Sequence, residues 1–381
     1  MLPPNAPLSA WLTWLETLHP DEIDLGLERI RDVLGRLDIK RPDHVLLIAG
    51  TNGKGSSVAM ADALLSAAGL RVGVYTSPHI IDYNERIKFG GSQADDATIV
   101  AAFEAVEAAR GGVSLTYFEY GTLAAFVVFS NADLDVWILE VGMGGRLDAT
   151  NAIEPTAALI TNVALDHCDW LGNDIETIAA EKAGVMRAGI PVVYGASHVP
   201  EAIRATAEET GARLLLRDRD YTLDGVPPLG LPGEFQVGNA AAVLALLRAA
   251  GLDEAAAPEL AAAVLPNVQL AGRGQRIERD GVEWLLDVAH NPAAAEALAD
   301  ILSSAEPKTT TTAIVGMLDD KDVEGIAAAL NPHIRRWICV TAGSHRALPA
   351  AELGRRIANA CNRPCLIAES LDEALDSARR D

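Results

Sequence analysis

The chain has 381 residues, more than one ordinary domain needs and enough for two. Its 31 Lys and Arg against 53 Asp and Glu leave a formal net charge of −22. That excludes a general nucleic-acid binder and a protein that docks on anionic lipid, because both need a basic surface. Anionic small molecules stay open, since local groups and not the average field bind them. A composition of 49% apolar and 22% charged residues is that of a globular chain. No apolar run approaches the ~20 residues of a membrane helix, and Met1-Leu2-Pro3-Pro4 lacks the basic start of a signal peptide. Cysteines 168, 339, 361 and 365 are too few and too irregular for a disulfide framework or a zinc site. The expectation is a reduced, cytoplasmic protein.

Strands and helices alternate along the chain, the pattern of an α/β fold with a mostly parallel sheet. Leu27, Ile30, Leu34 and Leu37 mark one helix face. Val45–Ala49 reads as a strand buried on both faces, followed by a Gly-rich turn and a helix over Ser57–Ala68. Further strands are predicted at Val72–Tyr75, Val136–Glu140, Ala157–Thr161 and Pro191–Tyr194. Helices are predicted at Ala97–Ala109, Glu119–Phe129 and Ile175–Ala188. Arg217–Glu234, with Pro227, Pro228 and Pro232, reads as a loop or strand edge. Helices resume at Gly238–Ala250 and Glu254–Leu265. After the aperiodic Asn267–Gly274, strands at Trp284–Val288, Thr312–Gly316 and Trp337–Thr341 alternate with helices at Pro292–Leu302, Val323–Leu330 and Pro349–Ala360. A domain boundary is placed between residues 274 and 275.

The sharpest local signal is Ala49-Gly50-Thr51-Asn52-Gly53-Lys54-Gly55-Ser56-Ser57, between a strand and a helix. Backbone amides of a Gly-rich turn, a helix N-terminus and a lysine together suit phosphate. The Walker spacing is not kept: its first Gly would fall at Ile48, and Gly55 stands where Ser or Thr belongs. A tight turn with a surface lysine would use the same residues.

Gly50-Thr51-Asn52-Gly53-Lys54-Gly55-Ser56 resembles the phosphate loop of the Mur ligase superfamily, and of its folate branch in particular. Thr76-Ser77-Pro78-His79 with Asn84-Glu85-Arg86-Ile87, and Leu139 to Asn151 (Leu-Glu-Val-Gly-Met-Gly-Gly-Arg-Leu-Asp-Ala-Thr-Asn), are similar to further signatures of that branch. So are Thr161-Asn162-Val163-Ala164-Leu165-Asp166-His167, Glu181-Lys182-Ala183-Gly184, Asp287-Val288-Ala289-His290-Asn291-Pro292 and Gly316 to Asp322. Seven motifs stand in order between Gly50 and Asp322, and the resemblance runs from about residue 10 to the end of the chain. The resemblance implies a P-loop NTPase-like, mostly parallel sheet domain (residues 1–274). A smaller Rossmann-like α/β glutamate-ligase domain follows (275–381). It also implies an ATP-dependent ligase that joins L-glutamate to dihydropteroate, to the glutamyl tail of reduced folates, or to both. ATP would convert a carboxylate to an acyl phosphate, which the amine then attacks; catalysis of such steps is mainly positioning plus cations.

The same resemblance implies the roles. Thr51, Asn52, Gly53, Lys54, Gly55 and Ser56 would hold the ATP phosphates, with Asn239, Arg273, Asp287 and His290 also contacting the nucleotide. Asn239 equally suits a helix N-cap or first turn. Ser77, Glu140 and His167 would bind Mg²⁺, two ions in all. A carboxylate at a strand end suits a hard cation, whereas a histidine there suits a core or loop position as well. Lys182, an ordinary helix lysine by pattern, would be carbamylated and catalytic beside Lys54 and His167. Phe118, Arg146 and Asp148 would contact the pterin-bearing substrate; Phe118 also fits a core position. Ser344-His345-Arg346 is a further glutamate-site candidate. The resemblance implies a monomer. A cell-wall Mur enzyme, an inactive nucleotide-binding regulator and a GTPase or kinase are the rivals; the last would carry an Asn-Lys-x-Asp motif, which the chain lacks.

Overall fold

The computed structural model describes residues 6–304 and 311–379. They divide into two compact units, one within Met1–Gly230 and Gln236–Gln269, the other within Leu231–Phe235 and Leu270–Asp381.

The first unit is built on an eight-stranded sheet. In chain order its strands are β1 (His44–Ala49), β2 (Val72–Tyr75), β3 (Ile87–Phe89), β4 (Ser92–Gln93), β5 (Val136–Glu140), β6 (Ala157–Ile160), β7 (Pro191–Tyr194) and β8 (Arg213–Leu216). Their spatial order is β4-β3-β2-β5-β1-β6-β7-β8. All pairs are parallel except β2–β3 and β3–β4, which fold back as an antiparallel edge. β1 lies at the centre, where the chain turns from building one side of the sheet to building the other. Open α/β sheets bind ligands at such a switch point, beyond the carboxyl ends of the strands.

Burial follows from that position. Helices cover both faces of the sheet, so Val45 to Ala49 and Val136 to Glu140 are closed to solvent. Each large apolar side chain removed from water there contributes roughly 1.5–3 kcal/mol. Trp137 meets two rings of helix Tyr117–Asn131: Phe126 stacks on it at 6.0 Å and Phe129 lies tilted at 5.6 Å. A capping box of Thr116 and Glu119 starts that helix.

The second unit has a parallel sheet of β11 (Thr311–Val315), β12 (Ile334–Cys339) and β13 (Cys365–Ile367). It also holds an antiparallel hairpin of β9 (Gln275–Arg279) and β10 (Val282–Leu286). Helices Pro292–Ser303, Val323–Leu330 and Ala350–Cys361 build its core around Trp337.

Several elements differ from the sequence reading. The strand expected at Trp284–Val288 does not restart the parallel alternation: it is β10, which among the described residues pairs with β9, antiparallel, across the Asp280-Gly281 turn. The helix expected over Ile175–Ala188 stops at Ala183. β3, β4, β8, β9 and β13, together with helices Leu8–Leu15, Glu201–Thr210 and Leu371–Arg379, were not anticipated. Each spans ten residues or fewer, too few for several repeats of its period. Among the described residues no helix is long and apolar enough to cross a membrane.

Candidate active site

The turn after β1 is stitched to the segment after β6. Thr51 N donates to Asn162 O at 3.0 Å, and Asn52 N to Asn162 Oδ1 at 3.0 Å. Thr161 Oγ1 donates to Asn52 O at 2.6 Å, and Ala164 N to Thr51 Oγ1 at 3.0 Å. Thr161 and Asn162, which no role was assigned from sequence, therefore set the shape of the loop. Gly53 adopts φ +84°, open to glycine at little cost, and helix Lys54–Ala67 begins at the next residue. Lys54 Nζ donates to the carbonyls of Gly50 and Thr51 at 3.0 and 3.1 Å, which keeps the ammonium over the loop.

A second helix supports the loop from its side. Asn239 is the fifth residue of helix Phe235–Ala249, not its cap. Its amide lies 2.9 Å from the point where a Gly53 Cβ would stand. Asn239 Nδ2 donates to Gln236 Oε1 at 3.0 Å, and Gln236 Nε2 to Ser56 Oγ at 3.1 Å. Ser56 and Gln236 are almost fully buried. Gln236 is thus a further supporting residue; its place one helical turn before Asn239 was the available signal.

Glu140 ends β5, paired with Ile48 of β1. It is 4% exposed, and its Oε2 accepts the Ser77 amide at 3.3 Å. His167 follows β6 with φ +51°, and its amide donates to the buried Asp166 Oδ1 at 2.9 Å. Lys182 is 3% exposed. Burial, reinforced by the Lys54 charge and opposed by Asp166 and Asp148, pulls its pKa down to about 7.

The Gly-rich segment after β5 explains why two of the motifs occur together. Arg146 N donates to Glu181 O at 2.8 Å, and its guanidinium pairs with Glu181 Oε1 at 2.8 Å. Gly184 then passes so close that a Cβ on it would stand 2.5 Å from Arg146 Cα. This contact ends the helix that carries Lys182 and fixes its direction. Asp148 is buried, and burial raises its pKa. Its oxygens accept Met143 N at 2.9 Å, Thr150 N at 2.9 Å and Thr150 Oγ1 at 2.6 Å. The carboxylate braces the loop from within. Phe118 packs over Gly142 of the same loop, with its ring 5.9 Å from that of Tyr75.

The first unit therefore gathers Lys54, Ser56, Ser77, Phe118, Glu140, Arg146, Asp148, His167, Lys182 and Asn239 at one end of its sheet. Among the described residues no group of three or more His, Cys, Asp and Glu could hold a metal by itself. Glu140, next to the Ser77 backbone, offers oxygen donors of the kind Mg²⁺ takes alongside water and phosphate.

The second unit gathers the other three candidates. Asp287 Oδ2 accepts Gly274 N at 2.7 Å and its Oδ1 accepts Ala289 N at 2.8 Å; burial raises its pKa, offset in part by Arg273 and His290. His290 Nδ1 bonds Val288 O at 2.9 Å, directly before helix Pro292–Ser303, which Asn291 caps. In the same unit Arg346 pairs with Asp320 at 3.3 Å, joining the segment 344–346 to the Gly316–Asp322 motif.

Comparison with known proteins gives these arrangements a context. The Mur ligase middle domain matches residues 48–217, and the Mur ligase, glutamate ligase domain matches residues 272–381. The dihydrofolate synthase/folylpolyglutamate synthase of Escherichia coli (strain K12) is 40% identical over 99% of this chain and 91% of its own length. The chain belongs to the dihydrofolate synthase/folylpolyglutamate synthase family of Mur ligases. The Mycobacterium tuberculosis (strain H37Rv) member is 36% identical over 96% of this chain and 83% of its own. Among solved structures, E. coli FolC in complex with DHPP and ADP superposes with a TM-score of 0.92, at 38% identity over 100% of this chain and 93% of that one. A bifunctional folylpolyglutamate synthase/dihydrofolate synthase with Mn, AMPPNP and L-glutamate bound gives 0.89, at 40% identity over 99% and 93%.

Proposed function

We propose that this protein uses ATP to ligate L-glutamate to dihydropteroate and to the glutamyl tail of reduced folates, through an acyl phosphate. The observation that carries the reading is the buried Lys182, held near neutral pKa beside Lys54, Asp166 and Asp148 at the end of a switch-point sheet. A lysine with this pKa is the form that reacts with CO₂, because only the neutral amine is a nucleophile. Carbamylation would convert it to a carboxylate. Glu140, Ser77 and His167, with that carboxylate, would hold two divalent cations, which when bound neutralise charge on the phosphate oxygens.

The remaining chemistry belongs to the chain. The loop 51–56 positions the β- and γ-phosphates with its amides, and Lys54 moves from the loop carbonyls to the phosphate as a point charge. The acceptor carboxylate attacks the γ-phosphorus and ADP leaves; the neutral glutamate amine then attacks the acyl carbon, the acyl C–O bond breaks, and phosphate leaves with the bonding pair while the nitrogen loses a proton. Phe118, Arg146 and the loop braced by Asp148 line the pterin side. Arg273, Asp287 and His290 serve the nucleotide from the glutamate-ligase domain, taken as residues 275–381 after an ATP-binding domain of 1–274. The partners are small molecules and neither nucleic acid nor membrane, and the protein acts as a cytoplasmic monomer.

The test is direct. Purified protein with ATP, Mg²⁺, L-glutamate and either 7,8-dihydropteroate or tetrahydrofolate should release phosphate and form the glutamylated product. No turnover with either acceptor refutes the reading.

A further inference from the structure

Eight of the ten buried side chains of helix Phe235–Ala249 are apolar; the other two are Gln236 and Asn239. They form a chain of hydrogen bonds that leaves the helix. Asn239 Nδ2 donates to Gln236 Oε1 at 3.0 Å, and Gln236 Nε2 donates to Ser56 Oγ at 3.1 Å. Gln236 is 1% exposed and Ser56 2%. An apolar side chain of the same length would fill this space without burying an amide, and a buried amide is costly unless it is bonded. The glutamine therefore answers to a demand other than packing.

The direction of the chain supplies that demand. A serine hydroxyl has one hydrogen and two lone pairs. Because Ser56 Oγ accepts from Gln236, its hydrogen is left to donate, and among the described residues no other partner bonds this hydroxyl. Ser56 is the third residue of helix Lys54–Ala67, in the first turn, where unpaired amides and the helix dipole favour an anion. An anion is met there by hydrogens and not by lone pairs. With the Gln236 amide turned over, its oxygen would take the hydroxyl hydrogen, and Ser56 would face the anion with lone pairs. Asn239 Nδ2, one helical turn along, holds Gln236 Oε1 and so keeps the amide in the first orientation. The bare Cα of Gly53 lets the Asn239 amide lie against the same loop.

This rests on the ligase reading above, which puts the ATP phosphates on the loop 51–56, and deepens it. We propose that Gln236 is a positioning residue for the nucleotide: it touches no substrate and turns the Ser56 hydroxyl hydrogen out to a phosphate oxygen of ATP. Asn239 locks the amide that does so.

A double-mutant cycle tests it. The parent, Gln236→Met, Ser56→Ala and the double variant are compared in ATP affinity by titration calorimetry without acceptor, and in phosphate release with dihydropteroate. Gln236→Met should weaken ATP binding, and lower kcat/KM for ATP with it, about tenfold. Ser56→Ala should lose at least as much. The double variant should match Ser56→Ala, because Gln236 then has no hydroxyl to turn. Losses that multiply in the double variant mark a merely structural glutamine and overturn the proposal, as does a Gln236→Met protein that binds ATP like the parent. Gln236→Glu provides a second variant in case Gln236→Met does not fold. It keeps the length and the acceptor for Asn239, and when ionised it has no hydrogen to donate. It should lose at least as much as Gln236→Met, and parental ATP affinity in it overturns the proposal. A parent that binds ATP and releases no phosphate with dihydropteroate or tetrahydrofolate removes the ligase reading, while the cycle is still decided on affinity. A parent that binds no ATP overturns the proposal.

Discussion

Lys182→Met should abolish turnover and yet make the protein more stable. The lysine is 3% exposed, with its pKa pulled from 10.5 to about 7. At pH 7 about half of these side chains are neutral, against about one in 3000 for an ordinary lysine. The difference corresponds to about 5 kcal/mol against the buried ammonium. The sign follows from proton counting. Between about pH 7 and 10.5 the unfolded chain binds this proton and the folded chain does not, so the parent gains stability as pH rises through that window. At and below pH 7 the full cost is present. Met has similar length and no charge, so the variant should exceed the parent by a few kcal/mol at pH 7, and the gap should close toward pH 10. Scanning calorimetry in CO₂-depleted buffer at pH 7 and pH 9.5 would read this as a rise in melting temperature of about 4–6 °C at the lower pH. Bicarbonate should raise parental activity and leave the variant inactive, and short carboxylates should restore part of the variant's turnover. A variant that melts at or below the parent at pH 7, or a gap that does not change with pH, would refute the reasoning.

Three other outcomes follow from the site. Lys54→Ala should abolish phosphate release while circular dichroism stays that of the parent, because the ammonium's partners include two loop carbonyls that water can satisfy; normal turnover would remove the phosphate-loop role. Gly184→Ala should cost about 1–3 kcal/mol in denaturant unfolding, since the added methyl meets the Arg146 backbone, which cannot yield; a neutral result would show that the contact is loose. Chelation of divalent cations should stop turnover without lowering the melting temperature by more than a few degrees, because Glu140 keeps a backbone partner in the Ser77 amide. Loss of folding on chelation would mean that the metal is structural.

What could be read from the sequence depended on how local the physics is. β2, β5 and β7 agree residue for residue with apolar runs whose ends are marked by turns. The Gly-rich loop announced itself because phosphate binding uses consecutive backbone amides. The helix of Lys182 was legible at its start, where Asp174 caps it, and not at its end. That end is set by Arg146, some 35 residues away in the chain. Gln236 was passed over for the same reason: it acts through Ser56, 180 residues away in the chain.

The sequence by itself determined the α/β class, the order of the motifs, the family and the residue types available for chemistry, since these rest on periodicity and short-range spacing. Only the tertiary structure decided the burial of Lys182, the internal bracing role of Asp148 and the contact of Asn239 with Gly53. Each of those depends on desolvation and on partners brought from distant segments, and neither quantity exists before the chain has folded.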